Sequence, residues 1–240
     1  MGNKIDNKNK CNEVIKILCK KKKDWYKKKS DPLDILIATI LSQNTNDNLS
    51  MVAFEALKKT FEDWNQLKGV SKKKIADIIK PAGLSNRKSD SIKNLVDYLI
   101  KKNGTADLNY LVHMSDDEIF TEFKKLKGIG IKTISCLLLF GLKRNSFPVD
   151  THIHRICNRL GLINTKDAND TFFEMKELVP KGKEYSFHVE LIRHGRDTCK
   201  ASKPNCYYCH LVDLCDYKEK NLTKKNKIEY KKNIFILNQI

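Results

Sequence analysis

Apolar residues recur along the chain at three- and four-residue intervals, broken by short polar turns, and strand-like alternation is absent. Asp31 and Pro32 supply an N-cap and a proline at the first helical position, ahead of the apolar stretch Leu33 to Leu41. Ser115 and Glu118 form a capping box before Ile119, Phe120 and Phe123. Gly69, Gly83, Gly104, Gly128, Gly141, Gly161 and Gly182 fall between stretches of helix length, where glycine serves as a C-cap or turn. The pattern predicts an all-α protein of about ten helices with no internal repeat. A division is expected near Asn145-Ser146-Phe147-Pro148, where one helix ends and the next begins after Asp150.

With 240 residues, 40% of them hydrophobic, the chain can bury a core as one domain or as two small ones. No apolar run approaches the length that spans a bilayer, and the first residues lead into Lys-rich sequence rather than an apolar signal core. The expectation is a soluble, intracellular protein with no membrane partner, placed in the cytoplasm or nucleoid if the source is prokaryotic. The net charge of +17 points to a polyanion, but its distribution matters. Residues 1–30 carry 11 Lys and 3 acids, residues 217–240 carry 7 Lys and 2 acids, and everything between carries 28 basic and 24 acidic residues. The excess is mostly terminal. It suits counterion release from a phosphate backbone, and it equally suits two solvated ends.

Four of the eight cysteines, Cys199, Cys206, Cys209 and Cys215, read C-x6-C-x2-C-x5-C. Zinc usually takes two separated C-x2-C knuckles, and here Cys206 and Cys209 alone form one. A cage of thiolates from a single loop fits a [4Fe-4S] cluster better. Lys200 and Lys203 stand between the first two cysteines, where a pinned basic loop could meet a phosphate or simply be solvated. Cys11, Cys19, Cys136 and Cys157 lie in apolar helical patterns and are expected to be inert core thiols.

Leu126 to Thr133 reads LKGIGIKT, the sequence form of a helix-hairpin-helix. Gly128 and Gly130 let backbone N–H groups approach a phosphate at a helix N-terminus. Lys132 falls in the first turn of the second helix, where the dipole disfavours an ammonium and should lower its pKa from about 10.4. A neutral amine attacks carbon and forms a Schiff base; taken alone, the simpler reading is a surface Lys that assists phosphate binding. Asp150 precedes the pattern Ile153, Ile156, Cys157, Leu160, so its default role is an N-cap. A carboxylate held ionised there can also accept a proton or stabilise a developing cation. His152 and His154 have the spacing of a metal pair but face different sides of a helix, so no metal is expected between them.

Leu41-Ser42-Gln43-Asn44, Gly83-Leu84-Ser85-Asn86, the hairpin, Val149-Asp150-Thr151-His152, His194-Gly195-Arg196 and the cysteine loop occur in an order that resembles the endonuclease III branch of the helix-hairpin-helix DNA glycosylases. The resemblance runs from about Asp31 to Asp216 and implies a two-domain all-α fold. Residues 31–145 would form a six-helix barrel carrying the hairpin, and residues 1–30 with 146–216 an iron-sulfur domain. Residues 217–240 would be a basic C-terminal tail. It further implies a monomeric DNA glycosylase and abasic-site lyase of base excision repair acting on double-stranded DNA with oxidised pyrimidines or abasic sites. A damaged nucleotide is flipped into a cleft between the domains. Lys132 attacks C1′ with help from Asp150, and β-elimination cuts the strand 3′ to the lesion. By the same resemblance Leu84 wedges into the duplex and Asn44 fills the space of the flipped base, although this branch commonly has Gln there. Gly128, Gly130 and Lys203 contact DNA, and Ser42, Asp47 and His152 match pocket residues. The alternatives are a monofunctional glycosylase for mismatched or alkylated bases, or a non-catalytic iron-sulfur DNA-binding protein. The segment from Asn109 to Ile119 looks longer than in bacterial enzymes of the branch.

Overall fold

The computed structural model describes residues 2–20, 30–224, 236–238 and 240; the Lys runs within 21–29 and 225–235 lie outside them. Ten α-helices form among the described residues, with no strand. They are α1 (Gly2–Leu18), α2 (Pro32–Leu41), α3 (Asp47–Thr60), α4 (Lys72–Ile78), α5 (Ser85–Asn103), α6 (Asp116–Phe123), α7 (Ile131–Cys136), α8 (Thr151–Arg159), α9 (Ala168–Leu178) and α10 (Glu184–Asp197). No helix among the described residues is long and apolar enough to cross a membrane. The chain separates into two compact units, residues 26–144 with 234–240 and residues 1–25 with 145–233.

The first unit is organised around α2. Asp31 caps it by accepting from the N–H groups of Leu33 and Asp34, Pro32 opens it, and every residue from Ile35 to Leu41 is buried. A helix without a polar face must be enclosed on all sides. Helices α3, α5 and α7 pack against α2, and so does the π-turn Leu137–Gly141 that continues α7. The end of the chain joins this core: Ile236, Leu237 and Ile240 are buried, and the Ser30 hydroxyl donates to the Ile240 carbonyl at 2.7 Å. These three residues are therefore packed rather than solvated.

The Ser115–Glu118 capping box forms as the sequence suggests. The segment before it folds as a 3-10 turn, Asn109–His113, which Arg144 fastens by donating to the Leu111 and Met114 carbonyls and pairing with Asp116 at 2.8 Å. Six of the seven turn glycines have positive φ; Gly141 does not. Its role is close approach, since a Cβ there would lie 3.1 Å from Pro32 Cα.

In the second unit α8 packs against α9 and α10, and α1 lies on α9 and α10. Cys11 and Cys157 are buried, which pushes the Cys11 thiol up to about 12 and Cys157 well above the ordinary range. Cys136, in the first unit, is likewise buried, whereas Cys19 is only half-buried. Gly161 has φ +70, and the Asp216 carboxylate sits over it; a Cβ there would fall 1.8 Å from Asp216 Oδ2. Asp216 is held in place by Lys10 at 2.8 Å and by its own N–H to the Arg159 carbonyl.

The hairpin runs from the end of α6 to Gly130, the N-cap of α7. Gly128 is constrained twice, by φ +86 and by a Cβ position only 2.0 Å from Ser91 Oγ on α5. Gly128→Ala is expected to lower stability by about 1–3 kcal/mol, read as a drop in the urea midpoint. Adding Ser91→Gly should recover only the steric part, because the left-handed backbone remains; full recovery would contradict this reading.

Candidate active site

In the first unit the candidate residues sit on three adjoining turns. The first follows α2: Ser42 is its C-cap and spends its hydroxyl on the Thr39 carbonyl, while Asn44 is exposed at φ 51. Asn tolerates this left-handed conformation through its short polar side chain. Asp47 is half-buried and opens α3. The second turn carries Gly83 at φ 67 and Leu84 at φ 48, ψ 35. Leu84 is 48% exposed at the head of α5. A leucine in the left-handed region costs about 1–2 kcal/mol, and nothing is gained by exposing its side chain to water. The third turn is the hairpin, with Gly130 exposed.

Two residues without a role in the sequence reading hold these turns together. Gln43 donates from Nε2 to the Gly128 carbonyl at 3.0 Å and lies 3.4 Å from Thr133 Oγ1, which joins the Asn44 turn to the hairpin. Lys88 is 2% exposed and donates to the Leu41 and Ala82 carbonyls, each at 2.7 Å. Burial pulls its ammonium down to about 8. Lys132 lies beyond the hairpin in the first turn of α7, half-buried, and makes no hydrogen bond or ion pair among the described residues.

In the second unit Asp150 is the N-cap of α8, accepting from the Ile153 N–H at 2.8 Å. His152 follows on the first turn, close under α10, where a Cβ on Gly195 would come within 2.9 Å of its Cβ and Nδ1. Burial lowers the His152 pKa; Asp150 opposes the shift, and Arg155 and Arg196 add to it. His154 points elsewhere, its Nδ1 lying 2.7 Å from Thr171 Oγ1.

Cys199, Cys206, Cys209 and Cys215 are all unpaired and line one cavity with Ile156, Leu160, Leu211 and Val212. Two arginines of α8 hold the loop that bears them. Arg155 donates to the carbonyls of Cys199 and Gly195, and Arg159 to those of Lys200 and Ala201. No local sequence signal marks these arginines, because each points at backbone brought near by folding. Donors also reach sulfur: Arg159 Nη1 lies 3.4 Å from Cys199 Sγ, and the Leu211 N–H 3.4 Å from Cys209 Sγ. Burial pushes the Cys209 thiol up to about 11, and the Leu211 donor opposes that shift. As they stand, no three His, Cys, Asp or Glu side chains among the described residues are grouped to hold a metal ion. Lys203 is exposed on the same loop at φ 50.

Comparison with known proteins agrees with this layout. The family model described as HhH-GPD superfamily base excision DNA repair protein matches residues 37–181, a span that includes the hairpin, Lys132 and Asp150. The chain is 37% identical over 174 residues to a candidate DNA glycosylase of Arabidopsis thaliana, covering 72% of this chain and 59% of that protein. It is 31% identical over 190 residues to endonuclease III of Thermotoga maritima (79% and 85% covered) and 34% over 191 residues to that of Sulfolobus acidocaldarius (76% and 80%). The structure of a non-covalent endonuclease III–DNA complex matches with a TM-score of 0.73 at 22% identity, covering 87% of this chain and 94% of that one. A trapped endonuclease III–DNA covalent intermediate matches with a TM-score of 0.71 at 23% identity, covering 85% and 92%. At these identities the structural likenesses show the fold. The turns, the hairpin and the family match together make this chain a member of the HhH-GPD superfamily of base excision DNA repair proteins, a DNA glycosylase of the endonuclease III type.

Proposed function

We propose that the protein is a bifunctional enzyme that removes oxidised pyrimidines from double-stranded DNA and cleaves the resulting abasic site. The observation that carries this reading is Lys132, an amine in the first turn after the glycine hairpin whose side chain has no partner among the described residues. The relative trapped covalently on DNA supports a covalent route on this scaffold.

In this reading the hairpin N–H groups and Lys203 bind backbone phosphate, and the flipped nucleotide brings its C1′ to Lys132. The Lys132 amine forms a bond to C1′ as the bond to the base breaks, and the base leaves with the electron pair. Asp150, which accepts from the Ile153 N–H, takes the proton released from nitrogen or stabilises the sugar cation. The C1′–O4′ bond then opens with a proton passing to O4′, giving the iminium, and loss of a C2′ proton breaks the C3′–O bond and frees the 3′ side of the strand. The iminium is finally hydrolysed and the amine is restored. Leu84 enters the stack and Asn44 takes the place of the flipped base. The protein acts as a monomer.

The donor set of the cysteine loop supports a [4Fe-4S] cluster: four free thiols line one cavity, with cationic and amide donors on two of the sulfurs. When bound, the group would clamp the loop through Cys199, Cys206, Cys209 and Cys215. Arg155 holds the Cys199 carbonyl and Arg159 the carbonyls of Lys200 and Ala201, on the loop that bears Lys203.

Two measurements test the reading. On duplexes carrying an oxidised pyrimidine, the native protein is expected to release base and leave a nicked strand, and Lys132→Gln to lose both by at least about a hundredfold. Base release with an intact backbone would make the enzyme monofunctional. Protein purified without added metal is expected to contain about four iron atoms per chain; one zinc and no iron would overturn the cluster assignment.

A further inference from the structure

Lys88 has no place in the chemistry above, yet it is among the most costly side chains in the first unit. It is 2% exposed, and its two hydrogen bonds go to backbone carbonyls rather than to a carboxylate. A buried ammonium without a counter-ion is costly relative to an apolar residue of the same length, so packing alone would favour methionine.

What Lys88 touches gives the reason. Leu41 is the last residue of α2, and its carbonyl belongs to the C-terminal group that a helix leaves without partners. Ala82 ends the short turn Lys80–Ala82. The Leu41 carbonyl lies three residues before Asn44 and the Ala82 carbonyl two before Leu84, and both of these residues hold left-handed backbone. One nitrogen therefore anchors the roots of two strained turns. Burial lowers the ammonium to about 8, which leaves it mostly charged at neutral pH. Each bond to a carbonyl is then the stronger, charge-assisted kind. Gln43 links the same Asn44 turn onward to the hairpin at Gly128, and Gly128 rests on Ser91, three residues beyond Lys88 on α5.

We propose that Lys88 is a positioning residue that holds the Asn44 and Leu84 turns at a fixed separation, so that both side chains enter a damaged duplex together. The inference rests on the reading of these two residues as the groups that enter the duplex. Lys88 itself touches no DNA. Its loss should leave the phosphate grip of the hairpin intact and disable entry into the stack.

The test uses the full chain and a duplex that carries a tetrahydrofuran abasic analogue opposite 2-aminopurine, whose fluorescence rises when the orphan base is unstacked. Lys88→Met is expected to lower the saturating rise by about tenfold, since displacing a positioned group by an ångström costs on that order or more. Its Kd for undamaged duplex should stay within about twofold of native, as that term belongs to phosphate contacts. Lys88→Arg, which keeps the charge and the donors, should recover part of the rise. Adding Leu84→Ala to Lys88→Met should change little further, whereas Leu84→Ala alone should be as damaging as Lys88→Met. A native-sized rise with Lys88→Met overturns the proposal. So does parallel loss of the rise, of undamaged-duplex binding and of helical circular dichroism in both Lys88 variants, which would make Lys88 a general core residue. If instead Leu84→Ala and Asn44→Ala both keep the native rise, it is the reading of the two turns that fails.

Discussion

An α-helix with no polar face imposes the main constraint on this protein. Helix α2 is buried from Ile35 to Leu41, so its neighbours must surround it, and its terminal carbonyls must find donors inside the protein. The chain meets the second demand with the Lys88 ammonium and the Ser50 hydroxyl at the Leu41 carbonyl. The residues that emerge from the end of α2 are Ser42, Gln43 and Asn44. A turn that starts from a fully enclosed helix inherits its rigidity. That rigidity passes through Lys88 to the Leu84 turn and through Gln43 to the hairpin. The unit thus presents an exposed leucine, an exposed asparagine and a glycine hairpin from one continuous hydrogen-bonded frame.

The second unit solves a different problem. Its cysteine loop has no long regular element of its own, only two short 3-10 turns, and takes its shape from α8. Arg155 and Arg159 reach out from that helix to loop carbonyls, while Asp150 caps its other end. The same helix that presents the candidate carboxylate therefore organises the cysteine loop. Its N-terminal turn is further fixed by the approach of Gly195 on α10.

Much of this was legible in the sequence where the signal is local. The Asp31 and Asp150 caps, the Ser115–Glu118 box, the hairpin glycines and the cysteine spacing each depend on residues a few positions apart, and each of these caps and turns forms. Gly141 looked like a turn glycine, but its constraint is the backbone of Pro32, over a hundred positions away. Lys88, Gln43, Arg155 and Arg159 were invisible for the same reason: a long polar side chain reads as surface until folding brings a carbonyl to it. The burial of Ile236, Leu237 and Ile240 was hidden behind the Lys-rich composition that precedes them.

We propose that Lys132, an amine in the first turn after the glycine hairpin and without a partner among the described residues, makes this scaffold a strand-cutting enzyme. That role is tested most directly by incubating the protein with an abasic duplex and borohydride, then mapping the site of any reduced adduct by peptide mass spectrometry. The account predicts a stable protein–DNA adduct on Lys132. An adduct on another residue, or none from a protein that releases base, would contradict it.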